Sequence, residues 1–323
     1  MTRTGTTAGT PTTVLVVGAS GFIGSHVVRG LAQHPGVRVV ASSRTAPTEP
    51  LPATVEHRTA DLCDEASLRA ALEGVDVVVH AVSYVGRDAG TSRAVNVDGT
   101  RALMEAASAR GVGRVVYVST TSVYGSGPHR DVAEDDVPAH PESVASTDRL
   151  AAERLVLDAH GTVVRPNLVY GAGDRWFVPA LAQVTAGLGA TIAGASARIS
   201  LASVEQVAAV VAAAALGKGL AGRVLHAVAP EATPVRVVLD ALTAHLGVPG
   251  PSRDLTEDEA RAVLDPQRVS DHQLALLARD HAYDGSQAWA AVDAAGTAGD
   301  AHREAFALTD VHVAWYRAAL GSA

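Results

Sequence analysis

The sequence predicts an α/β fold: a doubly wound parallel sheet with a smaller, mostly helical C-terminal lobe. Three observations carry this. Val14-Leu15-Val16-Val17 is a short, wholly apolar run, as expected of a strand buried on both faces, and a glycine-rich turn comes directly after it. Strand and helix patterns then alternate as far as Pro166. Beyond Pro166 the pattern becomes mainly helical. In order, the reading gives a helix from Ser25 to about His34, strands at Val37–Ala41 and, more weakly, Val55–Ala60, and a helix at Asp64–Leu72. A strand at Val75–His80, a helix at Ser92–Arg110, a strand at Arg114–Ser119, a helix at Thr147–Ala159 and a strand at Thr162–Arg165 complete this half. In the second half Ser203-Val204-Glu205-Gln206, Thr256-Glu257-Asp258-Glu259 and Ser270-Asp271-His272-Gln273 are capping boxes that open helices. Arg223–Ala229 is a strand, Thr233-Pro234 starts a helix with proline at its first position, and Asp310–Leu320 is a short amphipathic helix. The expected organisation is a disordered tail over 1–13, a nucleotide-binding domain over 14–170 with a return segment near 197–229, and a substrate lobe from 171–196 and 230–323.

Composition narrows the function. The 323 residues carry a formal net charge of -8, which disfavours a nucleic acid or an anionic membrane as partner. No apolar run approaches the roughly 20 residues that span a bilayer. The one cysteine, Cys63, permits no intrachain disulfide and fits a reducing, cytoplasmic setting. The histidines show no metal-ligand spacing, so no metal is expected. Lys and Arg total 26, yet Lys218 is the only lysine.

Gly18-Ala19-Ser20-Gly21-Phe22-Ile23-Gly24 spaces its glycines G-x-x-G-x-x-G between a buried strand and a helix. Glycine is needed where backbone turns sharply or must approach a pyrophosphate closely, and the helix N-terminus behind it offers free N–H groups. A dinucleotide therefore belongs at Gly18, Ser20, Gly21, Phe22, Ile23 and Gly24. The second strand ends Val39-Val40-Ala41-Ser42-Ser43-Arg44 without the acid that usually binds NAD ribose hydroxyls. Ser43 and Arg44 instead suit a 2′-phosphate, which predicts NADP(H).

Together with motifs further along the chain, these residues resemble the extended short-chain dehydrogenase/reductase family and its Rossmann fold. Asp61-Leu62 looks like the family's adenine-side pair, and His80-Ala81-Val82-Ser83 sits where the family lines the cofactor. Asn96-Val97-Asp98-Gly99-Thr100 matches its N-V-x-G-T helix, and Val118-Ser119-Thr120-Thr121-Ser122-Val123-Tyr124-Gly125 its strand-five signature. Arg165-Pro166-Asn167-Leu168-Val169-Tyr170-Gly171 matches its R-P-x-x-V-Y-G segment beside the nicotinamide. The resemblance spans about Val14 to Leu246. It implies cofactor contacts from Asp61, Leu62, Ala81, Val82, Ser83, Pro166, Asn167 and Val169. As packing residues, Asn96 would tie a helix to a strand, and Tyr124 and Tyr170 would close turns.

The family's chemistry normally rests on a Ser or Thr with a Y-x-x-x-K pair on one helix. Here the aligned helix places Ala145 at the Tyr position and Arg149 at the Lys position. Four residues after the six tyrosines stand Asp88, Thr121, Pro128, Asp174, Gln287 and Leu320, so no pair lies elsewhere. Thr120 keeps the catalytic hydroxyl position, and Arg149 could still bridge the ribose. Hydride transfer belongs to the cofactor, so a reductase survives if the substrate oxygen is already activated by a neighbouring phenol. In this the chain is similar to the Tyr-less ketoreductases that tailor aromatic polyketide antibiotics. That resemblance implies NADPH-dependent reduction of a ring ketone on a polycyclic aromatic substrate, with Gly125–Ser143 and the region of Trp176 and Phe177 as pocket walls. Two alternatives stay open: a non-catalytic NADP-binding regulator, and a nucleotide-sugar epimerase or ketoreductase. The oligomeric state stays open too.

Overall fold

The computed structural model describes residues 10–47, 50–265, 269–299, 301 and 303–321. The tail expected over 1–13 falls largely outside these residues, but Thr12 and Thr13 already belong to the first strand, β1 (Thr12–Val17), because they pair with Val37 and Arg38. The chain continues through α1 (Phe22–Ala32), β2 (Val37–Ser43), β3 (Glu56–Thr59), α2 (Glu65–Ala71) and β4 (Val77–His80). Next come α3 (Ala89–Ser92), a π-helical segment (Arg93–Asp98), α4 (Gly99–Ala109), β5 (Arg114–Val118), β6 (His129–Val132), α5 (Val144–Asp158), β7 (Thr162–Pro166) and β8 (Leu168–Tyr170). The remainder comprises α6 (Val178–Leu188), β9 (Ala190–Ile192), β10 (Arg198–Ile199), β11 (Leu201–Ser203), α7 (Val204–Leu216), β12 (Val224–Ala227), β13 (Thr233–Pro234), α8 (Val235–Leu246), β14 (Arg253–Leu255), α9 (Glu257–Val263), α10 (Asp271–Ala278), β15 (His281–Tyr283), α11 (Ser286–Ala295) and α12 (Asp310–Gly321).

Seven parallel strands form the main sheet in the order β12-β7-β5-β4-β1-β2-β3. Alternation along each strand divides the core between its two faces. Val14, Val16, Val116 and Val118 pack with α1, α7 and α11, while Leu15, Val17, Val115 and Tyr117 pack with α2, α4 and α5. Helices on both faces are the doubly wound architecture that the alternation predicted. Helix α7 is buried almost all round, Glu205 being its partly exposed residue before Leu216. Its alanines and valines let α1, α11 and the sheet approach it closely.

Four capping boxes anchor helix starts: the three expected and one at Ser143–Ser146 that opens α5. Two expectations need correction. Pro234 is the N-cap of α8 and not its first helical residue: its ψ of 138° keeps it extended, because Thr233 and Pro234 pair with Ile199 and Arg198. The helix expected over Ser92–Arg110 is split by the π segment, whose wider turn carries Asn96 inward to 1% exposure.

Helix α11 packs on α7 and β12, and α6, α8 and α12 pack together in a separate cluster. A four-stranded sheet, β13-β10-β15-β6, joins the segment after β5 to strands from the end of the chain. Asp174, wholly buried, accepts hydrogen bonds from the N–H groups of Trp176, Phe177 and Val178 and from the Tyr316 hydroxyl. Tyr316 also receives Gly171 N–H at 2.8 Å, which fixes α12 onto the chain just beyond β8.

Glu153 on α5 and Arg165 on β7 form a bidentate pair at 2.5 and 3.0 Å, with residue exposures of 1% and 6%. Removing one partner of such a pair strands a buried charge and costs about 3–5 kcal/mol. Glu153→Ala should therefore lower the urea midpoint by an amount equivalent to several kcal/mol. An unchanged midpoint would show that the pair does not hold α5 on the sheet.

Candidate active site

The glycine-rich turn leaves β1 and enters α1 under tight steric limits. Gly18 has φ +90°, and a Cβ there would lie 2.9 Å from the carbonyl carbon of Ala81 and from Val82 Cγ2. A Cβ on Gly24 would collide with the Gly18 carbonyl oxygen, so α1 can start this close to β1 only with glycine at that position. Near Gly21 the closest atom to an added Cβ is the Gly18 oxygen at 3.2 Å. The N–H groups of Gly18 and Ala19 are both spent on the Ser42 carbonyl. Helix α1 has Gly21 as N-cap with no side-chain cap and no acid in its first turn, which leaves the N–H groups of Phe22 and Ile23 without intrahelical partners. Free N–H groups at a helix start are a feature that can hold an anionic phosphate.

At the end of β2 the two expected residues diverge. Ser43 is buried, and its hydroxyl donates to Thr45 O at 2.7 Å while meeting His57 Nε2 at 3.0 Å. Arg44 is exposed and makes no hydrogen bond or ion pair with a described residue. Asp61 is half-buried, its carboxylate accepting Cys63 N–H, and Leu62 lies against Gly99, where a Cβ would come within 2.9 Å of Leu62 Cβ. Ala81 and Val82 are half-buried against the glycine turn, and Ser83 is exposed.

Asn96 works as a clamp. Its Oδ1 accepts Tyr84 N–H at 2.8 Å and its Nδ2 donates to Tyr84 O at 2.9 Å, fixing the chain two residues beyond Val82. Thr100 donates to Asn96 O, and His80 Nε2 meets the Thr100 hydroxyl at 2.9 Å. Asn96 thus has the packing role, though it holds a loop and not a strand.

Beyond β5, Thr120 caps a short 3₁₀ turn (Thr121–Tyr124). Its hydroxyl donates to Ser122 Oγ at 3.2 Å and accepts Ser122 N–H at 3.1 Å. Thr121 donates to Asn167 Oδ1, and Asn167 donates in turn to Ser200 O. Pro166 ends β7, and Val169 in β8 pairs with Ala202. On α5, Ala145 is half-buried and Arg149 stands one turn further on. Arg149 Nη2 donates to Val118 O at 3.0 Å, and its Nε is buried without a partner. Burial, with the Arg149 charge nearby, pushes the His80 pKa down to about 3.

Tyr124 and Tyr170 have committed hydroxyls. Tyr124 donates to Glu134 O, meets His226 Nε2 at 2.8 Å and takes a hydrogen bond from Arg165 at 2.6 Å; burial raises its pKa to about 12. Tyr170 accepts Ala307 N–H and packs edge-on to Phe306. Of the expected pocket walls, Phe177 is core at 7% exposure while Trp176 stands 70% exposed beside it. Glu142, bonded to Ser126, lies on an open cleft of about 430 Å³ that runs along α5 past Val144, Thr147 and Asp148 and includes Ala89 and Arg93. Among the described residues no group of three or more His, Cys, Asp or Glu could hold a metal ion, and no helix is long and apolar enough to cross a membrane.

Sheet, glycine cradle and the residues at the strand ends together define a dinucleotide-binding protein of the doubly wound α/β class. Residues 14–225 match the model of the NAD dependent epimerase/dehydratase family, and the chain belongs to that family. It is 33% identical over 181 residues to a 2-alkyl-3-oxoalkanoate reductase of Stenotrophomonas maltophilia, covering 53% of this chain and 54% of the relative. It is 39% identical over 165 residues to a dTDP-glucose 4,6-dehydratase of Streptomyces griseus, covering 46% and 50%. It is 33% identical over 184 residues to a 4-hydroxy-2-methyl-3-oxo-4-farnesyl-3,4-dihydroquinoline-1-oxide ketoreductase of Stigmatella aurantiaca, covering 51% and 53%. The chain thus spans about half the length of these relatives. Among solved structures, MoeE5 in complex with UDP-glucose and NAD is 26% identical with a TM-score of 0.69, over 95% of this chain and 99% of that one. The dTDP-glucose 4,6-dehydratase DesIV of Streptomyces venezuelae, 23% identical with a TM-score of 0.72 over 96% and 98%, shares the fold.

Three buried imidazoles have pKa values held down mainly by burial: His80 to about 3, and His226 and His281 to about 4. Unfolded, each would take up a proton near 6.5. Between about pH 6.5 and 4 the unfolded chain therefore binds more protons than the folded one, and stability is lost as pH falls through that window. The urea midpoint should be clearly lower at pH 5 than at pH 7, and His281→Asn should flatten the dependence. Equal midpoints at the two pH values would show that these histidines accept protons in the folded state.

Proposed function

We propose that the protein is an NADPH-dependent ketoreductase that reduces a ring ketone of a polycyclic aromatic polyketide of the angucyclinone type, in antibiotic biosynthesis, without the Tyr/Lys acid–base pair. One observation carries the reading: α5 presents Ala145 and Arg149 where that pair would stand, and the Arg149 guanidinium is turned onto Val118 O. The site keeps the cradle and the Thr120 hydroxyl, but α5 has neither a tyrosine at 145 nor a lysine at 149, and the guanidinium at 149 does not deprotonate usefully. General acid–base help is typically worth about 10²–10⁴-fold. A substrate with a phenol beside its ketone supplies that help itself.

The bound reduced cofactor would supply a hydride to the ketone carbon. The phenol proton passes to the ketone oxygen, and the phenolate regains a proton from solvent. Phe22 and Ile23 N–H would bind the pyrophosphate, Arg44 the 2′-phosphate, and Thr120, on giving up its bond to Ser122 Oγ, would donate a hydrogen bond to the reacting oxygen. Arg149, turned inward, would hold the end of β5 and contribute at most one side of the ribose site. The same missing pair and general character are what the chain shares with the angucyclinone ketoreductase of simocyclinone biosynthesis. Exposed Trp176 suits a flat aromatic ligand. The Stenotrophomonas and Stigmatella relatives are reductases of ketones by their names, the latter on a quinoline ring.

A nucleotide-sugar enzyme is the second reading. The likeness to a dTDP-glucose 4,6-dehydratase favours it, and the absent proton-transfer residue on α5 opposes it. NADPH consumption with polycyclic peri-hydroxy quinones, run beside TDP-4-ketosugars, separates the two; turnover of the sugars alone would reverse the choice. Thr120→Ala should lower the reductase rate only modestly. Complete loss with binding intact would make Thr120 the essential acid and end the substrate-assisted reading. Arg44→Ala should weaken NADPH by about tenfold or more and barely change NADH, as expected for loss of one charge-assisted phosphate contact. Equal losses for the two cofactors would remove the 2′-phosphate assignment.

A further inference from the structure

We propose that Tyr84 supplies the hydrogen-bond donor that the reacting oxygen of the substrate would otherwise take from the tyrosine missing on α5. The proposal rests on the ketoreductase reading and names a residue that neither the glycine cradle nor the family motifs assign.

The tyrosines decide it by elimination. Tyr117 is wholly buried beneath the sheet, and Tyr124 and Tyr170 have hydroxyls bonded within the fold. Tyr283 is buried and stacked on Tyr124. Tyr316 donates to Asp174. Tyr84 is half-buried, and its hydroxyl bonds to no described residue.

Position supports the same residue. Strands β4 and β5 are hydrogen-bonded neighbours with His80 opposite Tyr117. Thr120 lies three residues past Tyr117 and Tyr84 four past His80, so both leave the sheet side by side at its C-terminal edge. Ligands in open α/β sheets bind at that edge. The chain before Tyr84 backs onto the glycine turn, where Gly18 faces Ala81 and Val82.

Tyr84 is also built to be held. Asn96, 1% exposed and carried inward by the π segment, binds both its N–H and its carbonyl. The phenol lies over Gly86, where any Cβ would collide with the ring and hydroxyl. Asn96 thus fixes the backbone that carries the phenol, and Gly86 leaves the ring the room it occupies. The hydroxyl donates to the oxygen as negative charge builds there; the transferred proton remains the substrate's own.

The test is Tyr84→Phe, assayed with NADPH and polycyclic peri-hydroxy quinones, with 1,8-dihydroxyanthraquinone as a binding probe. Loss of one such donor typically costs about 10²–10³-fold in kcat. The expected result is a kcat lower by about 100-fold, with NADPH affinity and melting temperature unchanged. The shift of the probe's visible band on binding to wild type should be absent in the variant. Gly86→Val, which displaces the phenol and keeps it, should reproduce the loss. A Tyr84→Phe enzyme with wild-type kcat and an unchanged probe spectrum overturns the proposal and leaves the ketoreductase reading standing. A parallel fall in NADPH affinity also overturns it, because Tyr84 would then serve the cofactor. Failure of wild type to turn over any such ketone removes the ketoreductase reading, and this assignment with it.

Discussion

Glu153 and Arg165 meet where α5 crosses β7, and the elements above the sheet take their places from that contact. The pair fixes how far α5 lies along the sheet, and so where Ala145 and Arg149 stand relative to the end of β5. Arg165 uses its remaining nitrogen on the Tyr124 hydroxyl and lies over the Tyr124 ring at 4.8 Å. Tyr124 in turn reaches Glu134 and His226, and Glu134 accepts the His226 N–H and a hydrogen bond from Gln287 on α11. One buried charge pair thereby ties the helix that carries Ala145 and Arg149 to the turn that holds Thr120 and to the C-terminal elements. Desolvating two charges is expensive, so such a pair is tolerable only when its polar atoms are nearly all satisfied, as they are here.

How much of the molecule is legible in its sequence depends on how local each constraint is. The glycine turn was legible because its requirement is steric and contained within seven residues: Gly24 must lack a Cβ because the Gly18 oxygen occupies that space. The boxes at Ser203, Thr256 and Ser270 were legible for the same reason, since each is closed by a residue three positions away. The sheet was legible from apolar runs buried on both faces. The clamp of Asn96 on Tyr84 was not legible, because it depends on a π turn that periodicity reads as ordinary helix. Pro234 misled because proline suits both an N-cap and a first helical position, and the choice is made by a ladder partner far back in the chain, with Ile199↔Thr233 next to it. Ser43 and Arg44 read alike as donors in the sequence, whereas packing commits the Ser43 hydroxyl to Thr45 and leaves the Arg44 guanidinium without a partner among the described residues.

Alanine at 145 and arginine at 149 on α5 are physically consistent with each other. A lysine at 149 serves the family by sitting beside a tyrosine and favouring its ionised form. Without the tyrosine, a cation reaching toward the site has no partner to act on. Arginine at that position instead turns its fork to the Val118 carbonyl, where it holds the strand end two residues before Thr120. Its charge also helps to keep the neighbouring His80 neutral, so that Nδ1 can accept Val82 N–H while Nε2 donates to the Thr100 hydroxyl, which in turn donates to Asn96 O. Arg149 thereby acts on the site indirectly, through β5 on one side and the Asn96 loop on the other.

Both routes end at residues that bring hydroxyls to the C-terminal edge of the sheet, Thr120 from β5 and Tyr84 from β4. A site organised this way has donors and lacks a proton-exchanging pair. Donors stabilise a developing oxyanion in proportion to how little they must move; here the Thr120 hydroxyl is tied to the 3₁₀ turn through Ser122, and the Tyr84 backbone is tied to buried Asn96. That division suits a substrate bringing its own proton. A chemistry that must withdraw a proton from an unactivated carbon or alcohol would find no base among them.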